Sequence, residues 1–192
     1  MSKGSKFERE IAKKLSLWWT EGQSDDIFWR TSGSGARAKV RSKKNQSTFG
    51  QYGDIQATNP IGQPLLDLCT IELKRGYSKD SFADILDKPD NAKKQTYEKF
   101  IDQAIQDSIN AKVPYWMLIV ARNRKKSLVF ISHTFYDRIR KISVLFDNCT
   151  KCILIYPISA IMECRILCMT LDDFLAKFTS SIVYQMLEDK VE

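Results

Sequence analysis

LLDLCTIELK, residues 65–74, is the stretch whose reading decides the fold. It is apolar enough for a buried strand, and the alternation of strand side chains puts Cys69, Ile71 and Leu73 on one face and Thr70, Glu72 and Lys74 on the other. The whole segment, from about residue 65, is predicted as the central strand. Two opposite charges on one face of such a strand converge on a common point. A buried carboxylate–lysine pair adds little net stability, so a purely structural ion pair competes here with a site built to hold something.

The flanking sequence supplies partners for that point. GDIQA, residues 53–57, reads as a brief strand led by Asp54, and NPIGQP, residues 59–64, is turn material. Residues 5–19 read as a helix, because Phe7, Ile11, Leu15 and Trp18 or Trp19 recur at helical spacing, with Glu8 and Ala12 in the neighbouring row. Between them, IFWRT forms a short aromatic strand that stops at SGSG. Three carboxylates, Glu8, Asp54 and Glu72, would then meet one lysine, Lys74, around a small polar volume. Carboxylates brought together raise one another's pKa values unless a cation joins them. Magnesium suits an oxygen-only set and keeps water in its coordination shell. Asp54 and Glu72 are the expected ligands, Glu8 an auxiliary one, and Lys74 the group that orients a water or offsets charge on a phosphoryl group.

Downstream, residues 91–111 have helical character, with Tyr97, Ile101, Ala104 and Ile105 available to a sheet and Gln95, Gln103 and Gln106 at polar positions. YWMLIVA and KSLVFIS read as neighbouring strands joined by a tight basic turn, and SHTFYDRIR as a short helix. Residues 151–157 and 163–169 are further strands. Thr170 followed by Asp173 marks a capped helix start, and LDDFLAKF and SIVYQML supply terminal helices. Helices before and after several strands indicate an α/β or α+β layer structure.

The chain has 192 residues, 43% hydrophobic and 28% charged, which fits one globular domain and excludes global disorder or a coiled-coil rod. No apolar run is long enough to span a membrane and the polar beginning has no secretory core, so an intracellular protein is expected. Thirty Lys plus Arg against 23 Asp plus Glu give a net charge of +7, which suits a polyanionic partner. The charge is clustered: RAKVRSKK holds Arg37, Lys39, Arg41, Lys43 and Lys44 in an aperiodic segment that reads as a loop or flap, and RNRKK at 122–126 is a second cluster. A solvated basic surface explains the same pattern. Five cysteines include Cys149 and Cys152 in CxxC spacing, and Cys164 with Cys168 three residues between, so a zinc site is conceivable; their apolar neighbours favour buried thiols instead. His133, the one histidine, is expected at a helix start or on the surface.

KGSKFERE at 3–10, RTSGSG at 30–35, GD at 53–54 and IELK at 71–74 together resemble the PD-(D/E)xK nuclease superfamily, particularly its archaeal Holliday-junction-resolvase-like and phage-related branches. The resemblance covers roughly residues 3–76. It implies a restriction-endonuclease-like core, a central mixed sheet flanked by helices, spanning about residues 1–140 of a single domain, with residues 141–192 as an extension packed on it. It places Glu8 on the helical acid, Asp54, Glu72 and Lys74 on the catalytic signature, and Arg30 and Ser34 on loop positions that approach DNA. Gln103 would assist the site, as a glutamine does in some relatives. Gly53 stands where the motif has proline, a departure that touches the local turn and not the ligand.

The activity implied is hydrolysis of a DNA phosphodiester with Mg²⁺ or Mn²⁺. Basic residues at 36–44 would contact successive phosphates, making affinity salt-sensitive before base identity matters. A four-way junction, cut by a two-fold dimer in DNA recombination or repair, is the most specific substrate hypothesis. Restriction-like cleavage of ordinary duplex and a noncatalytic nucleic-acid-binding protein on the same fold are the alternatives. The expected setting is the cytoplasm or nucleoid of a prokaryotic cell, or a phage-encoded intracellular protein.

Overall fold

The computed structural model describes residues 3–31, 52–88, 93–144, 148–159 and 162–189. Ser34, Arg37, Lys39, Arg41, Lys43 and Lys44 lie outside the described residues, so the structure does not place the expected DNA-binding loop.

A five-stranded mixed sheet forms the centre. Its strands are β3 (Cys69–Lys74), β4 (Tyr115–Arg122), β5 (Lys125–Ser132), β6 (Lys151–Ser159) and β7 (Met162–Thr170), ordered β3-β4-β5-β7-β6. β3 and β4 run parallel and the other neighbours antiparallel. A separate antiparallel pair, β1 (Phe28–Arg30) and β2 (Ile55–Ala57), lies beside the β3 edge, where the Asp54 amide donates to the Ile71 carbonyl at 2.8 Å.

Helices cover both faces of the sheet. Helix α3 (Thr96–Ala111) lies on one, and its Tyr97, Phe100, Ile101 and Ala104 pack with Trp116, Leu118, Val120 and Phe130. The opposite face carries Ile71, Leu73, Met117, Ile119, Val129, Ile131 and Leu167. Those side chains pack with α1 (Lys3–Trp19), α2 (Gln63–Leu68), α4 (His133–Ile142), α5 (Leu171–Lys177) and α6 (Ser180–Glu188). Burial on both faces explains why β4 and β5 read as continuous apolar runs. It also answers the question raised by Glu72 and Lys74: their face of β3 is turned toward α3, under cover.

The segment expected to be strand from about residue 65 divides. Gln63–Leu68 is α2, and only Cys69–Lys74 is strand. Pro64 sits in the first turn of α2, where the missing amide proton costs nothing, and Leu65 and Leu68, three apart, are both fully buried. A short apolar run has no period that separates strand from buried helix. The helix expected over 91–111 starts at Thr96, where a reciprocal capping box between Gln95 and Glu98 fixes the first turn. The expectation of buried thiols holds for Cys69 and Cys168 but not for Cys152, which is exposed on the edge strand β6, or for Cys149, which is half-buried. None of these four is in a disulfide. His133 opens α4, bonded through Nδ1 to Asp137 at 2.8 Å.

The C-terminal helices brace the first one from behind. Trp18 stacks on Phe178 and donates its indole N–H to the Phe178 carbonyl at 2.7 Å, Trp19 lies against Tyr184, and Lys14 pairs with Asp172. β7 pairs directly with β5, so residues beyond 150 belong to the same sheet as β3. Among the described residues no helix is long and apolar enough to cross a membrane.

Candidate active site

Four elements deliver side chains to one cleft of about 230 Å³ at the carboxyl end of β3. Glu8 comes from α1, Asp54 from the residue before β2, Glu72 and Lys74 from β3, and Gln103 from α3. The five residues proposed from sequence as catalytic therefore line a single concavity, with Gly4, Arg75 and Tyr77 at its margin.

Asp54 is set by backbone geometry. Gly53 has φ +79°, a left-handed conformation open to glycine and closed to proline, whose ring holds φ near −65°. A Cβ on residue 53 would stand 2.8 Å from the Ile71 carbonyl oxygen. Glycine at this position thus permits the close approach to β3, which accounts for the absent proline of the motif. The Asp54 side chain then accepts from the Leu73 amide through Oδ2 at 2.9 Å, so one of its oxygens is committed to β3.

Glu72 is 3% exposed and is held by two donors at one oxygen. Lys74 Nζ donates to Glu72 Oε1 at 2.5 Å, and the Gln103 amide nitrogen donates to the same atom. Gln103 Oε1 accepts from Lys74 Nζ at 3.0 Å, closing a three-membered ring of bonds. The Lys74 ammonium also lies 5.4 Å from the centre of the Phe100 ring.

Burial pushes the Asp54 carboxyl up to about 6, opposed by the Leu73 N–H bond and Lys74 and reinforced by the charges of Glu8 and Asp107. Burial, then the Asp54 charge, pushes Glu72 up to about 7, with Lys74 opposing. Two carboxyls raised in this way are what a cavity shows when its acids are gathered without a balancing cation. The bonds described leave Asp54 Oδ1 and Glu72 Oε2 without a hydrogen bond among the described residues. That donor set fits a hard divalent cation whose remaining ligands are water and substrate oxygens. Among the described residues no group of three or more His, Cys, Asp or Glu is gathered closely enough to hold a metal by itself.

Glu8 enters the cleft in a different relationship. Its Oε2 stands 3.0 Å from Arg30 Nε as an ion pair, outside hydrogen-bond geometry, and both atoms are buried. Arg30 is thereby on the same side of the cleft as Asp54, two paired strands bringing them together through Arg30 opposite Ile55. Asp107 was not singled out from sequence. It is buried on α3, and its charge acts on both Asp54 and Glu72. The available signal was its position four residues beyond Gln103, on the same helix face.

An Asp set against an E-x-K strand at the edge of a mixed, helix-flanked sheet defines a nuclease of the PD-(D/E)xK class. The chain belongs to the family described as "Phage putative PDDEXK endonuclease", whose model matches residues 1–184. No curated protein and no solved structure gave a significant match. Nucleases of this class typically use divalent metal ions. The family supports the phage-related branch of the expected resemblance and does not bear on the archaeal one.

Proposed function

We propose that this protein is a Mg²⁺- or Mn²⁺-dependent DNA endonuclease in which Asp54 and Glu72 hold the cation and Lys74 and Gln103 organise the attacking water. The observation that carries the reading is the convergence of Asp54, Glu72, Lys74 and Gln103 on one cleft with two carboxyls raised by burial. The bound cation would supply charge neutralisation at the phosphoryl oxygens and acidify a water. Lys74, fixed by Glu72 and Gln103, places a positive charge beside the phosphoryl group and a donor toward the water oxygen. Gln103 keeps the Lys74 amine and the Glu72 carboxylate in register, and Glu8, tied to Arg30, closes the far wall as an auxiliary acid. Attack of water on phosphorus with cleavage of the bond to O3′ leaves a 5′-phosphate and a 3′-hydroxyl. Residues 1–192 act as one nuclease domain in this scheme.

For substrate we favour branched DNA, a four-way junction first, cut by a two-fold pair of chains in recombination or repair of DNA in a prokaryotic host. The charged and polar side chains that line the cleft, Glu8, Asp54, Glu72, Lys74, Arg75 and Gln103, suit a phosphodiester backbone, which supports selection by shape over selection by sequence. Restriction-like cutting of ordinary duplex is the competing outcome, and DNA binding without cleavage a third. The decisive measurement compares cutting of labelled four-way junctions, forks, duplexes and single strands of matched sequence in Mg²⁺ and in Mn²⁺, with Asp54→Asn as control. Symmetric nicks in junctions are expected; a short recurrent site in linear duplex would move the assignment to restriction, and no product with either ion would remove catalysis.

A further inference from the structure

The catalytic cleft has a neighbour across a single side chain. Tyr77 lines both the cleft and a second cavity of about 220 Å³ whose wall includes Lys79, Asp80, Arg122 and Lys125. Tyr77 is held edge-on against Phe100, ring centres 4.7 Å apart, and Phe100 in turn lies beneath Lys74. The partition between the two concavities is therefore fixed to the catalytic lysine.

Both concavities open at the carboxyl ends of the parallel strands β3 and β4, where open α/β sheets bind their ligands. Lys74 is in register with Val120, and Arg122 lies two residues further along β4, opposite Lys125 of β5. One strand spacing across and two residues along put the Arg122 backbone roughly 8 Å from that of Lys74. The duplex rise of about 3.4 Å per phosphate is measured along the helix axis; along the strand itself successive phosphates stand roughly 7 Å apart, so this offset matches about one to two phosphates.

The chemistry of the cavity is anionic-ligand chemistry. Three cationic side chains face one carboxylate, and that carboxylate, Asp80, accepts from Thr96 Oγ1 at 2.6 Å. Arg122 donates from Nε and Nη2 to the Lys126 carbonyl at 3.1 and 3.0 Å, which orients the guanidinium across the hairpin turn and leaves Nη1 for a ligand. Lys79 and Lys125 are exposed. The basic run RNRKK, unexplained by the catalytic cleft, is thus folded against it.

We propose that this cavity is a second phosphate seat, holding a backbone phosphate of the cut strand one to two positions from the scissile one. The proposal rests on the nuclease reading and deepens it by defining the path of the strand across the sheet: over β3 at the cut, then past Tyr77 to the β4–β5 turn. A phosphate held there positions the strand without reading its bases.

The test is a binding measurement in magnesium-free buffer, using whichever labelled form (junction, fork, duplex or single strand) the unmodified protein binds most tightly there. Lys79→Gln/Lys125→Gln is expected to weaken binding about 10- to 100-fold and to lower the slope of log affinity against log salt by about one to two. Because Arg122 also ties down the hairpin, Arg122→Lys is a separate variant, checked for unchanged thermal unfolding before its affinity is read. Single methylphosphonates are then walked through the mapped cut site. In the unmodified protein one neutralised phosphate, one to two from the cut, should weaken binding, and the same substitution should cost the lysine double variant nothing further. Unchanged affinity and salt slope in that variant, or equal methylphosphonate penalties in both proteins, overturns the seat. Loss of affinity in the variant with no cleavage by any protein would leave the seat standing and defeat the catalytic reading.

Discussion

Replacing Asp54 by asparagine is expected to make the metal-free protein more stable at pH 8 and no more stable near pH 4. The Asp54 carboxyl is raised from 3.8 to about 6 in the fold, chiefly by burial. A group raised on folding contributes its stabilisation below the unfolded value, near pH 4, and loses it as pH climbs through the folded value, near pH 6. Above that, the folded protein holds a buried charge that the unfolded chain would expose to water. A displacement of about two units at about 1.36 kcal/mol each is on the order of 3 kcal/mol. Asparagine keeps an acceptor for the Leu73 amide and carries no charge at any pH, so it stands in for the protonated form. For a chain of 192 residues the gain corresponds to roughly 6–12 °C in unfolding midpoint. The assay is thermal or urea unfolding of both proteins in chelator at pH 4, 6 and 8, repeated with Mg²⁺ added. The two curves should coincide at pH 4 and separate between 4 and 7, and Mg²⁺ should raise the midpoint of the unmodified protein far more than that of the variant. Parallel pH curves with equal ion shifts would refute the buried-acid account.

Gly53→Ala forces a left-handed φ on alanine and a Cβ 2.8 Å from the Ile71 carbonyl oxygen, and should cost on the order of 2–4 kcal/mol in urea unfolding while displacing Asp54 and lowering cleavage. Wild-type stability in that variant would show that the strand approach is looser than described. Gln103→Leu breaks the bonds to Glu72 and Lys74 and is expected to reduce cleavage about 10- to 100-fold and to weaken the ion dependence of the rate, read by titrating Mg²⁺. Phe130→Ala opens the fully buried interior beneath α3 and should destabilise by about 3–5 kcal/mol; a loss under about 1 kcal/mol would contradict the packing.

The part of the site carried by β3 could be read from sequence because strand alternation is strictly two-fold: Glu72 and Lys74 must share a face whatever surrounds them. The first half of the same segment could not, since Leu65 and Leu68 satisfy a buried helix as well as a buried strand, and Pro64 is at home in a first helical turn. Gln103 was reachable through the family resemblance, and in the fold it bonds to Lys74 and Glu72. Asp107 and the Glu8–Arg30 pair were not, because each depends on how separate elements meet: α3 over β3, and α1 against the β1–β2 pair. Arg122 and Lys125 were visible as part of the basic run RNRKK, but their place beside the cleft was not, because it depends on Tyr77 lining both concavities.

The fastening of α1 to residues 172–184 has a consequence for how the protein comes into being. The helix bearing Glu8 is synthesised long before residues 172–184, so the tryptophans behind it find their partners only after α5 and α6 have been made. Contacts of such long range are slow to form. Translation therefore sets a delay: a growing polypeptide carries Glu8, Asp54 and Glu72 well before it owns the helices that hold α1 in place.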